Sequence, residues 1–390
     1  MGVQSDKLAR STKNMDCDQD SDLTVAANTD SKEDRLMNLT RREMLQATAA
    51  TFATVAGSRP NPTWAAENPY ADAVLIDGEP PLPTPRTFTI AVLPDTQYYA
   101  EKYPDIFRSQ TEWIADQLQD RNIRFVLHLG DVTNHNTESQ WKNAVQAMEV
   151  LDGRVPYALL PGNHDYSEGG RCFDRQTRLS EFFPVSKFRE QATFGGTYDA
   201  EPDRMENSFH VFRVGDRKFI VLALEFGPRH DVIRWANEVV SRHRDHEAIL
   251  ITHAYVYFDE TRYNWKKYRE EQQWNPHSYA IAKTADDDIL DGEELWREFV
   301  SRHENFILTL NGHVLGDGLG RVTTQTAGRR DVHQMLVNFQ MRPNGGDGWL
   351  RLLEFDPNGQ IVRVCDYSPV RNQRNVSPQN QFELTLSAPL

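Results

Sequence analysis

Five short polar clusters stand where apolar runs end: Asp95-Thr-Gln97, Gly130-Asp131, Gly162-Asn163-His164-Asp165, Thr252-His253 and Gly312-His313. Each apolar run reads as a buried strand, so its exit brings one or two hard ligands to one edge of a sheet. Carboxylates, an amide oxygen and imidazoles gathered there describe a metal centre acting on an oxygen-rich substrate, with a phosphate ester the leading choice. A carboxylate buried alone is costly, so Asp95 and Asp131 at the ends of neighbouring strands imply a partner cation. His253 and His313 each lie just past an apolar run. Neutral imidazole beside carboxylate and amide oxygens suits Zn, Fe or Mn better than Ca or Mg.

The elements that must carry these ligands follow from periodicity. Apolar runs at 88–94, 125–129 and 157–160 alternate with amphipathic stretches at 106–120 and 138–151. This βαβαβ order implies parallel strands buried between helical layers, an α/β class. Residues 209–214 and 219–224 flank Gly215-Asp216 as a hairpin. A helix over 232–242, a strand over 248–252, a helix over 290–300 and a strand over 306–310 follow. Beyond His313 the pattern turns to strands at 334–339, 349–355 and 361–367. Residues 88–390 read as one domain whose two sheets pack face to face with helices outside. Two polar and aromatic excursions, 166–205 and 254–287, look like loops over the site. With Tyr98 and Tyr99 after the first cluster and the stretch 338–347, they offer Arg171, Arg175, Tyr255 and Tyr257 as candidate substrate walls.

The clusters carry a resemblance. Residues 88 to about 320 resemble the calcineurin-like metallophosphoesterases, chiefly through Gly-Asp131 followed by Gly162-Asn-His-Asp165. The resemblance implies a four-layer α/β/β/α sandwich with two mixed β-sheets and two metals at the strand ends. It implies that Asp131 bridges both ions, that Asn163, His253 and His313 complete the second site, and that Asp95 serves the first. His164 would meet the substrate or protonate its leaving group, with Asp165 orienting it and raising its pKa. The implied activity is hydrolysis of a phosphate mono- or diester by a metal-activated water. The closing strands are similar to those of exported bacterial members with an Asp-Thr-Gln first motif. Two positions depart from the common pattern: Gln97 replaces one histidine, and His313-Val-Leu315 lacks another. Both missing imidazoles would serve the first metal, which predicts a weaker first site, with Gln97 a candidate ligand and His135 or Asp317 candidate substitutes. The alternative is a single-metal or inactive relative that binds a phosphorylated ligand or glycan.

The front of the chain differs. Residues 1–39 are polar without a periodic apolar face and read as disordered, and 67–87 are a proline-rich, irregular lead-in. Residues 40–66 hold Arg41-Arg42, a short weak apolar run and Ala65-Ala66, the parts of a twin-arginine export signal. The expectation is export to the periplasm or cell envelope, with the export machinery as partner and no integral membrane segment in the mature chain. Met37 as a start would give a more compact signal. A net charge of -14 over 390 residues argues against extended nucleic acid as a partner and leaves a small phosphorylated substrate. Of three cysteines, Cys17 precedes the signal, leaving Cys172 and Cys365 as one disulfide or two thiols.

Overall fold

Along strand β2 (Phe88–Leu93) alternate side chains enter two different cores. Phe88, Ile90 and Val92 face the layer between two sheets, while Ala91 and Leu93 face a helical layer. Strand β8 (Glu247–Thr252) repeats this in the second sheet, with Ile249 and Ile251 facing inward and Ala248 and Leu250 outward. A strand buried on both faces cannot alternate apolar with polar, hence the continuous apolar runs. These relationships come from a computed structural model that describes residues 68–285 and 288–388. All described residues lie in the unit Asn61–Leu390, and the expected signal at 40–66 lies outside them.

The first sheet orders β1 (Leu75–Asp77), β14 (Gln373–Asn375), β13 (Ile361–Ser368), β12 (Leu350–Phe355), β2, β3 (Ile123–His128) and β4 (Tyr157–Ala158), with β15 (Gln381–Thr385) also on β13. Within it β2, β3 and β4 run parallel, and β12 pairs antiparallel with β2. The second sheet orders β10 (Leu319–Gln325), β11 (Asp331–Val337), β9 (Phe306–Asn311), β8, β7 (Arg217–Leu224), β6 (Ser208–Val214) and β5 (Phe194–Thr197). Here β7, β8, β9 and β11 are parallel and the outer pairs antiparallel. Both sheets are therefore mixed, as the resemblance implied.

Helices cover the outer faces: α1 (Gln97–Lys102), α2 (Pro104–Asp116) and α3 (Glu138–Met148) on the first sheet's side of the chain order, and α4 (His230–Arg242) and α5 (Gly292–Glu298) on the second's. Phe107, Ile114, Trp141 and Ala144 pack with Leu93 and Val126, while Val232, Trp235, Val239 and Leu295 pack with Leu222 and Leu250. The lead-in is not wholly irregular, because Leu75–Asp77 adds an edge strand against β14. Cys172 and Cys365 are both free thiols in different layers, so the disulfide alternative does not hold. Among the described residues no helix is long and apolar enough to cross a membrane.

Candidate metal centre

His253 leaves β8 at full burial with both ring nitrogens engaged. Nδ1 lies 2.8 Å from the Leu129 carbonyl, which can only accept, so Nδ1 carries the proton. Nε2 then faces two oxygens, Asn163 Oδ1 at 3.1 Å and Asp131 Oδ1 at 3.2 Å. Three lone pairs pointing at one another repel unless a positive charge sits among them. Without a metal that charge is a proton: burial disfavours it, yet the Asp131 carboxylate raises the His253 pKa to about 9. Burial pushes Asp131 up, but His253 and His164 outweigh it and hold the carboxyl down near 2. A metal ion satisfies the same three donors, so the set fits one.

Asp95 joins from the end of β2. Its carboxylate accepts the His313 amide at 3.0 Å on Oδ2 and the Asn338 side-chain amide at 3.0 Å. Burial first, and the like charge of Asp131 after it, raise its pKa to about 8 against the pull of His253. Asp95, Asp131 and His253 each offer a ligand atom within 4.8 Å of the others. His313 donates Nε2–H to the Trp274 carbonyl at 2.8 Å, which leaves Nδ1 with its lone pair, and burial holds the ring neutral with a pKa lowered to about 3. Gln97 opens α1, is buried, and has an Oε1 with no hydrogen-bond partner among the described residues.

Two glycines make this crowding feasible. A Cβ on Gly312 would overlap the Asp95 carboxylate, and one on Gly162 would overlap that of Asp131. The spacing Gly-His and Gly-Asn is thus a steric requirement of the carboxylates opposite, delivered from distant strands.

His164 is half-buried, with its backbone amide on Asp131 Oδ1 at 2.9 Å and its Nδ1 donating to the Asn134 carbonyl at 2.9 Å. The expectation that Asp165 orients His164 is therefore corrected. Asp165 is fully buried and accepts from Val132 N, Thr133 N, Thr133 Oγ1 and Gly162 N at 2.7–2.9 Å. It clasps the loop after β3 to the loop after β4, and the ring of His164 is held by a backbone oxygen instead. No sequence signal announces such carbonyls; the roles of Leu129, Asn134 and Trp274 arise only in three dimensions.

Several candidate walls turn out structural. Arg175 donates to the carbonyls of Phe226, Gly227 and Asp288 at 2.7–3.3 Å, tying loops together. Tyr99 is buried with its hydroxyl on Gly348 N, and Tyr255 and Tyr257 are core residues. Tyr98 is half-buried and Arg171 exposed. Asp317 accepts the Leu319 amide at 3.1 Å, His135 turns to Asn134 and Gly169, and neither joins Asp95, Asp131 and His253 in their donor group. Asp131, Asn163, His164, Trp274, Tyr279, His313, Leu315 and Gln340 line one cleft of about 60 Å³. A second candidate metal group, His277, Asp291 and Glu294, lies elsewhere in chain order. Asp291 caps α5 by accepting Glu293 N and Glu294 N, while Glu294 accepts Asp291 N and His277 Nε2, so these lone pairs already serve the fold.

Comparison with known proteins decides the family. The profile described as calcineurin-like phosphoesterase matches residues 88–317. The chain belongs to the calcineurin-like phosphoesterase family. Its two mixed sheets between helical layers are consistent with that family's fold. It is similar to the uncharacterized protein YvnB of Bacillus subtilis (strain 168), at 32% identity over 314 residues. That match covers 77% of this chain and 21% of YvnB, so the chain spans about a fifth of its relative's length. Among solved structures, GAP50, the anchor in the inner membrane complex of Plasmodium, aligns over 77% of this chain and 89% of its own, at 12% identity and a TM-score of 0.39.

Proposed function

We propose that this phosphoesterase hydrolyses a small phosphate mono- or diester with a metal-activated water. The observation that carries the reading is the convergence of His253 Nε2, Asp131 Oδ1 and Asn163 Oδ1 at 3.1–3.2 Å beside the half-buried His164. Ions of the Fe, Mn or Zn class, when bound, supply Lewis acidity to the phosphoryl oxygens and lower the pKa of water. The proposed ligands are Asp95, Gln97, Asp131, Asn163, His253 and His313. His164, anchored through Nδ1, keeps Nε2 for exchanging a proton with the leaving oxygen. Asp165 supports it indirectly by fixing the loop that presents it.

The test is a panel of chromogenic mono- and diesters, with Mn, Zn, Fe and Ca each restored to stripped protein. Turnover that requires one of these ions is expected. A second reading, a single-metal protein that binds a phosphorylated ligand or glycan, draws support from Leu315 in the cleft. Failure across the panel with one ion bound would favour it.

Export is part of the same reading, with a periplasmic or envelope site of action and the Asp-Thr-Gln type of exported relative. Arg41-Arg42 and the weak apolar run after them support it. A reporter fused after residue 66 should be translocated and should stay in the cytosol with Arg41→Lys and Arg42→Lys; cytosolic retention of the unchanged fusion would overturn it.

A further inference from the structure

Two buried glutamine oxygens without a partner among the described residues are carried by segments that also carry or contact Asp95. Gln97 is 1% exposed and Gln340 8% exposed, and the Oε1 of each has no hydrogen-bond partner among the described residues. Burying an amide oxygen without a donor forfeits its hydration with nothing in return, so such an oxygen calls for a ligand. Gln97 follows Asp95 by two residues, and the intervening Thr96 donates its amide to the Asp131 carbonyl at 3.1 Å. Gln340 lines the cleft together with Asp131, Asn163, His313 and Leu315. Its backbone is tied to the same centre. Gln340 N donates to Asn338 Oδ1 at 2.9 Å, and Asn338 Nδ2 donates to Asp95 Oδ2 at 3.0 Å. The loop that carries Gln340 also packs on α1, because a Cβ on Gly345 would collide with Tyr98 and one on Gly346 with the Tyr99 hydroxyl.

We propose that Gln340 Oε1 is a ligand of the first metal, replacing the imidazole absent at Leu315 and completing, with Asp95, Asp131 and Gln97, a site made only of oxygen. This rests on the metal-dependent function proposed above and extends it. Neutral amide oxygens with two carboxylates form a hard donor set, which suits Mn²⁺, Mg²⁺ or Ca²⁺, whereas His253 and His313 give the neighbouring site its nitrogen character. The two positions therefore differ in kind as well as in strength. Glutamine at 340 lies outside every strand-end cluster, 25 residues beyond Leu315 in sequence. It comes into place because β10 and β11 return the chain to the strand ends.

The experiment is a Mn²⁺ titration of the chelator-stripped full chain, read by calorimetry and by Mn²⁺ electron paramagnetic resonance. Unchanged protein should bind two ions with unequal affinities, and Ca²⁺ should displace the weaker one alone. Gln340→Leu should weaken the weaker step by about 10–100-fold, by analogy with the loss of supporting groups at other metal sites, and leave the tighter step in place as a check on folding. Gln340→Glu should tighten the weaker step. Adding Leu315→His to Gln340→Leu should restore a second ion. Two unaltered binding steps in Gln340→Leu, or an unaltered weaker step in Gln340→Glu, would overturn the proposal. A single ion in the unchanged protein would overturn it while leaving the tighter site intact; no ion at all would remove the metal-dependent function as well.

Discussion

The backbone amide of His313 lies 3.0 Å from Asp95 Oδ2, although 218 residues separate the two in the chain. Asp95 leaves the first sheet and His313 the second, so this one bond joins the strand ends of both sheets at the metal centre. The approach is possible because residue 312 has no Cβ.

Gly312→Ala should therefore act on the metal site before the fold at large. Moving Asp95 aside or straining the turn should cost about 1–3 kcal/mol, as overpacking does. Bound metal should fall below that of the unchanged protein in elemental analysis, and the melting temperature should drop. Full metal content would show that the carboxylate relocates freely.

His164 and Asp165 should separate cleanly in mutants. His164→Ala should lower kcat about 10²–10⁴-fold, the usual scale for a general acid, while metal content stays normal. Asp131→Ala should lose metal. Asp165→Ala removes the acceptor of four donors, so it should lower the melting temperature more than either. Parallel metal loss in His164→Ala and Asp131→Ala would contradict the assigned roles.

His210 sets a pH dependence of stability away from the centre. It is fully buried among Phe125, Phe188 and Phe194, with neither ring nitrogen hydrogen-bonded among the described residues. Burial lowers its pKa from the ordinary value of 6.5 to about 3. Between those values the unfolded chain takes up a proton that the folded chain refuses, so stability falls as pH drops below 6.5. The slope from this residue is about 1.4 kcal/mol per pH unit. In urea titrations from pH 7 to 4.5, the advantage of His210→Phe over the unchanged protein should grow toward acid. A constant difference would mean that His210 is protonated in the fold.

Arg351 and Asp366 face each other across β12 and β13, both buried, in a bidentate pair at 2.7 and 2.8 Å. Burial raises the Asp366 pKa and Arg351 opposes that rise. Arg351→Met should destabilise by about 3–5 kcal/mol because it strands a buried carboxylate. Asp366→Asn added to it should recover part of the loss by removing the charge. Equal stability of the single and double variants in denaturant titrations would show that the charge is not the cause.

Much of the fold was legible because the central strands of both sheets are buried on both faces, which writes stretches such as 90–93 and 248–251 as unbroken apolar runs. Two strands with mixed surfaces were not legible. Residues 319–325 and 381–385 alternate partly exposed polar residues and owe their pairing to neighbours already in place. Helix α1 was missed for a related reason: its six residues carry little periodicity and depend on packing against the loop at 343–346.

For the centre, sequence alone singled out Asp95, Asp131, Asn163, His253 and His313 as candidate donors, because each follows a strand and strand exits share an edge. It also exposed the two missing imidazoles at Gln97 and Leu315. Only the tertiary structure decided the tautomers of His253 and His313, the replacement of Asp165 by the Asn134 carbonyl in holding His164, and the arrival of Gln340 at the cleft. Those features depend on backbone carbonyls, and on a loop distant in sequence that becomes a neighbour only when the two sheets close on each other.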